Sequence, residues 1–349
     1  MSKSNQVTSD AKKLGIALIG FGYWGPNLAR NAMTCPNMDL IAICEMSENR
    51  RDVARRLYPG VKIVNTIDEI IGNPDIDAVM VATPVGTHFE ISRRFLNANK
   101  HVFVEKPLCG NVSDSRELIQ LADSKGLLIH VDHTFLYTPA VEKLKEYIDS
   151  GDLGTLLYFD STRVNLGLFQ NDVDVIWDLA VHDLSILSFV TGRRPISVSA
   201  TGTSHPKSKQ ISAAFMTLVY EDLFVAHLHV SWMSPVKIRR TILSGTHKML
   251  VYDDLETTEK IKVYDSGVDF VGGTEELREL LVSYRIGDMT SPRLREQEAL
   301  GLALSDFSVA IQNATLTRST GVFGLETVAI LEAATESVVN GGCPVTIIY

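Results

Sequence analysis

From Leu14 to Val131, short runs that are apolar at nearly every position alternate with longer stretches whose apolar residues recur at helical spacing. Ile16-Ala17-Leu18-Ile19 and Ala78-Val79-Met80-Val81 offer no polar face, as strands covered by helices on both sides must. The pattern predicts strands over residues 15–19, 40–44, 62–64, 78–81, 101–104 and 128–131. Between them it predicts helices over 27–32, 47–58, 87–98 and 113–125. Alternation of strand and crossover helix implies a parallel sheet, so residues 1–131 are expected to form one doubly wound α/β domain.

After about Asp132 the period changes. A helix over 139–150 ends at Gly151 as at a C-cap, and Asp178 is placed to cap another that runs to Gly192. Alternating strands follow over 155–164, 196–204, 213–220, 224–232, 239–244, 249–252 and 260–264, with Glu221-Asp222 as a hairpin turn. Residues 292–339 return to helical period. The expectation for 132–349 is therefore an α+β domain with a large, mostly antiparallel open sheet. There is no internal repeat and no low-complexity linker.

A chain of 349 residues is long enough for two domains with their own cores. Its 45% hydrophobic and 21% charged composition is that of an ordinary globular protein. A formal charge of −9 supplies no global basic field for a phosphate backbone, which argues against nucleic acid as a partner while leaving local anion sites open. Cys35, Cys44, Cys109 and Cys343 are scattered without a C-x-x-C pair and read as small buried residues of a reducing compartment. The start over 1–13 is polar, and no apolar run approaches the ~18 residues of a membrane span. A cytoplasmic protein without membrane contact is expected.

Gly20-Phe21-Gly22-Tyr23-Trp24-Gly25 follows the first strand and opens the first helix, matching G-x-G-x-x-G in the context that gives it meaning. Gly20 permits the tight turn, Gly22 the approach of a pyrophosphate, and Gly25 close helix–strand packing. Backbone N–H groups around Tyr23 and Trp24 would face the phosphates. Glu45, some twenty residues on at the end of the second strand, is placed to accept from the adenosine ribose hydroxyls and to repel a 2′-phosphate. NAD is favoured over NADP, although Arg50 and Arg51 stand nearby.

Thr83-Pro84-Val85-Gly86-Thr87-His88 follows the fourth strand and Glu105-Lys106-Pro107 the fifth. Both therefore lie at the carboxyl edge, where open α/β sheets bind ligands, and Thr83, Pro84, His88, Glu105 and Lys106 join the candidate cofactor contacts. Pro107 biases Lys106 toward an extended backbone, and a lysine there can hydrogen-bond a substrate hydroxyl. Asp178 and His182, within Trp177-Asp178-Leu179-Ala180-Val181-His182-Asp183, are four apart and share a helix face. An imidazole can take a hydroxyl proton while hydride leaves the same carbon, and a carboxylate can orient it.

Glu105-Lys106-Pro107 behind a glycine-loop nucleotide fold, followed by Asp178-x-x-x-His182 in a mixed-sheet domain, resembles the glucose–fructose oxidoreductase/inositol dehydrogenase (Gfo/Idh/MocA) family. The resemblance spans nearly the whole chain. It implies a Rossmann domain, NAD(P)-dependent hydride transfer at a sugar or cyclitol hydroxyl, and Lys106, Asp178 and His182 as catalytic candidates. It also implies a sheet face that pairs between subunits in a homodimer or homotetramer. Gly22-Tyr23-Trp24-Gly25-Pro26-Asn27 with Trp177-Asp178-Leu179 and His182-Asp183 is similar to the branch that oxidises the 3-hydroxyl of UDP-N-acetylhexosamines ahead of an aminotransferase. Trp177, Arg163 and Asn165 then become candidate contacts to the sugar or its diphosphate, and Arg163 reads equally as half of a structural ion pair.

His227 and His229 share a strand face without a third ligand, so they are assigned to the sheet and no metal is expected. Trp232 is assigned to packing. Three other readings are compatible with these residues: an NADPH-dependent ketosugar reductase, an inositol or simple-sugar dehydrogenase, and a non-catalytic NAD-binding protein.

Overall fold

The computed structural model describes residues 13–167, 169–170, 172–271 and 281–349, so the polar start over 1–12 lies outside the described residues. The chain first runs β1 (Leu14–Ile19), α1 (Gly25–Thr34), β2 (Met38–Cys44), α2 (Glu48–Leu57), β3 (Lys62–Val64), α3 (Asp68–Ile71), β4 (Ala78–Val81), α4 (His88–Asn97), β5 (His101–Glu105), α5 (Val112–Lys125) and β6 (Ile129–Asp132). The six strands form one parallel sheet in the order β3-β2-β1-β4-β5-β6. Every residue of β1 and β4 is buried, the result of helices on both faces of strands without a polar side. The order reverses between β1 and β4, which opens a ligand crevice at their carboxyl ends.

The second half runs α6 (Pro139–Asp149), β7 (Leu156–Leu166), α7 (Val181–Thr191), β8 (Ser197–Ser204), β9 (Ile211–Val219), β10 (Val225–Ser231), β11 (Met233–Gly245), β12 (Met249–Asp253), β13 (Ile261–Tyr264), β14 (Gly267–Val271), β15 (Leu281–Arg285), β16 (Met289–Thr290), α8 (Ala299–Asn313), α9 (Gly321–Val339) and β17 (Val345–Thr346). Nine of its strands make one sheet, β16-β13-β12-β11-β7-β10-β9-β8-β17. All its pairs are antiparallel except β7 with β10. Its strands bury alternate residues, Ala226, Leu228 and Val230 facing the core from β10, as a sheet with one covered face requires. The hairpin of β14 and β15 and the two-residue edge strands β16 and β17 were not expected.

The chain divides into two compact units, residues up to Thr134 with Glu298–Leu325, and Phe135–Gln297 with Glu326–Tyr349. This corrects the assignment of all residues from 132 on to the second domain. Phe307 of α8 packs 5.7 Å from the ring of Phe103, Glu298 accepts from Arg30 and Asn31, and the Ser319 hydroxyl donates to the Val131 carbonyl. Helical period shows that a helix buries one face, and is silent about which sheet receives it. No described helix is long and apolar enough to cross a membrane. Cys35, Cys44 and Cys109 are buried, whereas Cys343 is exposed, against expectation.

Candidate active site

The glycine loop is built as its spacing requires. Gly20 has φ +94° and donates to the Cys44 carbonyl at 2.8 Å, and a Cβ there would stand 2.5 Å from the Ala82 carbonyl oxygen. A Cβ on Gly25 would stand 2.5 Å from the Gly20 oxygen. Gly22 differs, since its Cβ would meet only the Arg50 guanidinium, at 3.4 Å. Bare backbone, the N-terminus of α1 and a nearby cation meet at this open place, which fits a dinucleotide pyrophosphate. Tyr23 and Trp24 lie on the outside of the loop with rings stacked 6.3 Å apart.

Glu45 is buried, and its two carboxylate oxygens accept from Phe21 N at 2.7 Å and Ser47 N at 2.8 Å. It ties the loop to the end of β2, and each oxygen keeps a lone pair for a ribose hydroxyl. Arg51 spends its guanidinium on the Glu45 and Met46 carbonyls and on Glu48, so Arg50 is the arginine left facing the loop. Gly20→Ala should cost about 1–3 kcal/mol through its backbone conformation. It should also weaken NAD binding; unchanged thermal stability together with unchanged NAD affinity would refute this account of the turn.

At the ends of β4 to β6 the structure gathers buried ionisable groups. His88, a candidate cofactor contact, is fully buried, with ring nitrogens 2.9 Å from the Thr83 and Pro107 carbonyls. It acts by locking together the loops that carry Thr83, Pro84 and Lys106. Thr83 receives the Thr87 hydroxyl at 2.7 Å, and Pro84 is exposed. Glu105 and Asp132 sit opposite each other in register, both buried, and the Thr134 hydroxyl donates to Asp132 at 2.8 Å. Burial, followed by the charge of Asp132, raises the Glu105 carboxyl well above its ordinary range. Burial likewise lifts Asp132 to about 6. The charge of Lys106, which follows Glu105 directly, works against burial by favouring the ionised form of both carboxyls; Lys106 is half-buried and joined to Pro107 by a cis peptide.

Burial pushes His130 and His133 down to about 3. A histidine held neutral in the fold binds fewer protons than the unfolded chain between about pH 3 and the ordinary value near 6.5. Stability is lost as pH falls through that window, by up to about 1.4 kcal/mol per pH unit for each such group. The raised carboxyls Glu105 and Asp132 act in the opposite sense. His133→Leu should therefore flatten the acid limb of the stability curve, and chemical denaturation at several pH values would sink the assignment if the slope stayed the same.

In the second unit, Ile176–Ala180 forms a π turn that runs into α7. The cap is Asp174, whose carboxylate accepts from Ile176 N at 2.9 Å and Trp177 N at 3.2 Å; this corrects the expectation that Asp178 caps. Asp178 is left half-buried and accepts from the Trp232 indole at 3.0 Å. His182 stands edge-on to Phe135, ring centres 5.1 Å apart. Trp177 gives its indole N–H to Thr335 of α9 at 2.9 Å, and Asn165 is half-buried near the end of β7.

Of the two readings open for Arg163, sugar contact and structural ion pair, the structure shows the ion pair. It is buried, donates three hydrogen bonds of 2.8–3.1 Å to Asp183, and lies 4.6 Å over the Phe135 ring. Sequence reasoning missed Phe135 and the contact of Trp232 with Asp178, which are distant in the chain; Asp183, adjacent to His182, was visible without its role. Lys106 belongs to the first unit, Asp178 and His182 to the second. His227 pairs with Asp160 at 3.2 Å and His229 stacks on Phe215. Among the described residues no cluster could hold a metal.

Comparison with known proteins gives two family matches. Residues 14–133 match the oxidoreductase family, NAD-binding Rossmann fold (GFO_IDH_MocA), and residues 141–251 the GFO/IDH/MocA C-terminal domain. The chain is 27% identical over 271 residues to UDP-N-acetylglucosamine 3-dehydrogenase of Acidithiobacillus ferrooxidans, across 76% of this chain and 79% of that one. It is 31% identical over 295 residues to the uncharacterized oxidoreductase YdgJ of Escherichia coli K12, across 77% of this chain and 83% of that one. The solved UDP-N-acetylglucosamine 3-dehydrogenase of Acidithiobacillus ferrooxidans superposes with TM-score 0.78 at 22% identity, covering 94% of this chain and 98% of that chain.

Proposed function

Because this chain belongs to the GFO/IDH/MocA oxidoreductase family and carries its NAD-binding Rossmann domain, we propose that it oxidises the 3-hydroxyl of a UDP-N-acetylglucosamine-type sugar to a 3-keto sugar. The observation that carries the reading is the Asp178/His182 turn, packed on Trp232 and Phe135, in a chain with Lys106 at the carboxyl edge of an NAD-binding sheet. Likeness to a UDP-N-acetylglucosamine 3-dehydrogenase over three quarters of the chain supports the sugar.

Bound NAD supplies the two-electron acceptor for a hydride. The backbone of Gly20, Gly22, Tyr23, Trp24 and Gly25 would hold its pyrophosphate, Glu45 would accept from the adenosine ribose, and Thr83 and Pro84 would border it from the end of β4. A free Glu45 lone pair favours a ribose hydroxyl over a 2′-phosphate. In the second unit His182 accepts the proton of a substrate hydroxyl and Asp178, fixed by Trp232, orients the substrate hydroxyls, while Lys106 of the first unit is a hydrogen-bond donor for a substrate hydroxyl. The protein acts as a homo-oligomer through the open face of the large sheet, where Tyr158, Phe215, Val219 and Val225 are exposed. An aminotransferase consumes the keto sugar.

The test incubates the chain with NAD and, separately, UDP-N-acetylglucosamine, its uronic acid, dTDP-glucose and myo-inositol, then weighs the products. A parallel set adds an aminotransferase and amino donor as a trap. Loss of two hydrogens from a UDP-sugar, or its conversion to the amino sugar, is the expected result. Oxidation of myo-inositol alone would refute the substrate, and reduction of keto sugars by NADPH alone would reverse the direction.

A further inference from the structure

Beside Asp178, the second unit contains a cleft of about 800 Å³, well within the size range of sites that hold cofactor-sized molecules. We propose that this cleft binds the nucleoside diphosphate part of the substrate, the base against Phe169 and the phosphates between Lys207 and Lys209. The inference rests on the reading of the substrate as a nucleotide sugar, and it assigns the part of that substrate that does not react.

The floor is built rather than incidental. Trp232 forms it, and its indole N–H ends on Asp178 at 3.0 Å, so the cleft and the proposed sugar site share one side chain. Gly167 donates to the Trp232 carbonyl at 3.0 Å, and a Cβ at Gly167 would stand 2.7 Å from the indole, so only glycine lets this part of the chain lie so close. Phe169 leans on Trp232 with ring centres 5.5 Å apart and on His205 at 6.1 Å, yet keeps 44% of its surface exposed. A fixed but open aromatic ring suits a planar base, because stacking needs a face and no hydrogen-bond code.

The opposite wall is the turn between β8 and β9, which carries Lys207, Lys209 and Gln210. Among the described residues neither lysine has an ion-pair partner and no carboxylate lines the cleft. In a chain of net charge −9, two uncompensated lysines facing an aromatic ring are chemically matched to a short polyanion with a planar group. A neutral sugar or cyclitol would use neither feature.

The experiment measures binding of UDP and of uridine to the full-length chain saturated with NAD, by calorimetry. UDP should bind, with a Kd that rises with salt. Lys207→Glu/Lys209→Glu should raise the UDP Kd at least about tenfold by replacing attraction with repulsion, while changing uridine affinity little. Phe169→Ala should weaken both ligands together. A melting transition of the second unit that stays where it is in wild type reports that the variants are folded. Failure of UDP to bind, or a UDP Kd within twofold of wild type in both variants, overturns the cleft. If UDP binds as described but UDP-N-acetylglucosamine is not oxidised, the cleft stands and the proposed reaction falls. If that sugar is oxidised with unchanged KM in both variants, the reaction stands and the cleft falls.

Discussion

Lys106→Met and His182→Ala should each lower kcat for the oxidised sugar by about 10²–10⁴-fold, the span associated with loss of a positioned proton-transfer group. Lys106→Met keeps the aliphatic stem at the end of β5 and deletes only the donor beside Glu105 and Pro107. His182→Ala removes the imidazole that rests against Phe135 at 5.1 Å and leaves helix-compatible backbone in α7. NAD affinity should stay within a few fold in both, because the glycine loop and Glu45, the proposed dinucleotide contacts, are untouched. The double variant tests whether the two residues act as a unit, since losses of residues that do so are not additive. Steady-state kinetics with a matched NAD titration decides this. Unchanged turnover in both single variants would remove Lys106 and His182 from the chemistry and bring forward the reading of a protein that binds NAD without turning over.

The parts of the molecule legible in sequence are those whose signal is local. β1 and β4 were found because a strand buried on both faces must be apolar throughout, and Gly20, Gly22 and Gly25 because their spacing over six residues is itself the signal. What escaped depends on partners far along the chain. Trp177 is held by Thr335, 158 residues away, and Asp178 by Trp232, 54 residues away. The return of α8 to the first sheet rests on Phe307 meeting Phe103 and His130, which no periodicity announces. The cap at Asp174 escaped for another reason, since the π turn begins at Ile176 and puts its cap four residues ahead of the aspartate that the pattern favoured. Arg163 is the instructive case. An arginine near a candidate site reads equally as an anion contact and as half of an ion pair until its burial is known, and burial is a property of the fold.

That burial sets the last expectation. Asp183→Ala should destabilise the second unit by about 3–5 kcal/mol, because it leaves a guanidinium buried without its countercharge. The side chains of Arg163 and Asp183 are only 6% and 2% exposed, and arginine cannot escape by losing its proton. The transition of that unit should fall by about 2–4 °C for each kcal/mol. Replacing both partners, as Arg163→Leu/Asp183→Leu, should recover most of the loss, since a buried pair exchanged for apolar side chains is often neutral or better. The two variants then part in activity. Arg163 lies 4.6 Å over Phe135, and Phe135 supports His182, so the stable double variant should keep KM near wild type while kcat falls as His182 loses its backing. Had Arg163 been a sugar or phosphate contact, Asp183→Ala would leave the melting transition nearly unmoved, and loss of the arginine would appear in KM instead.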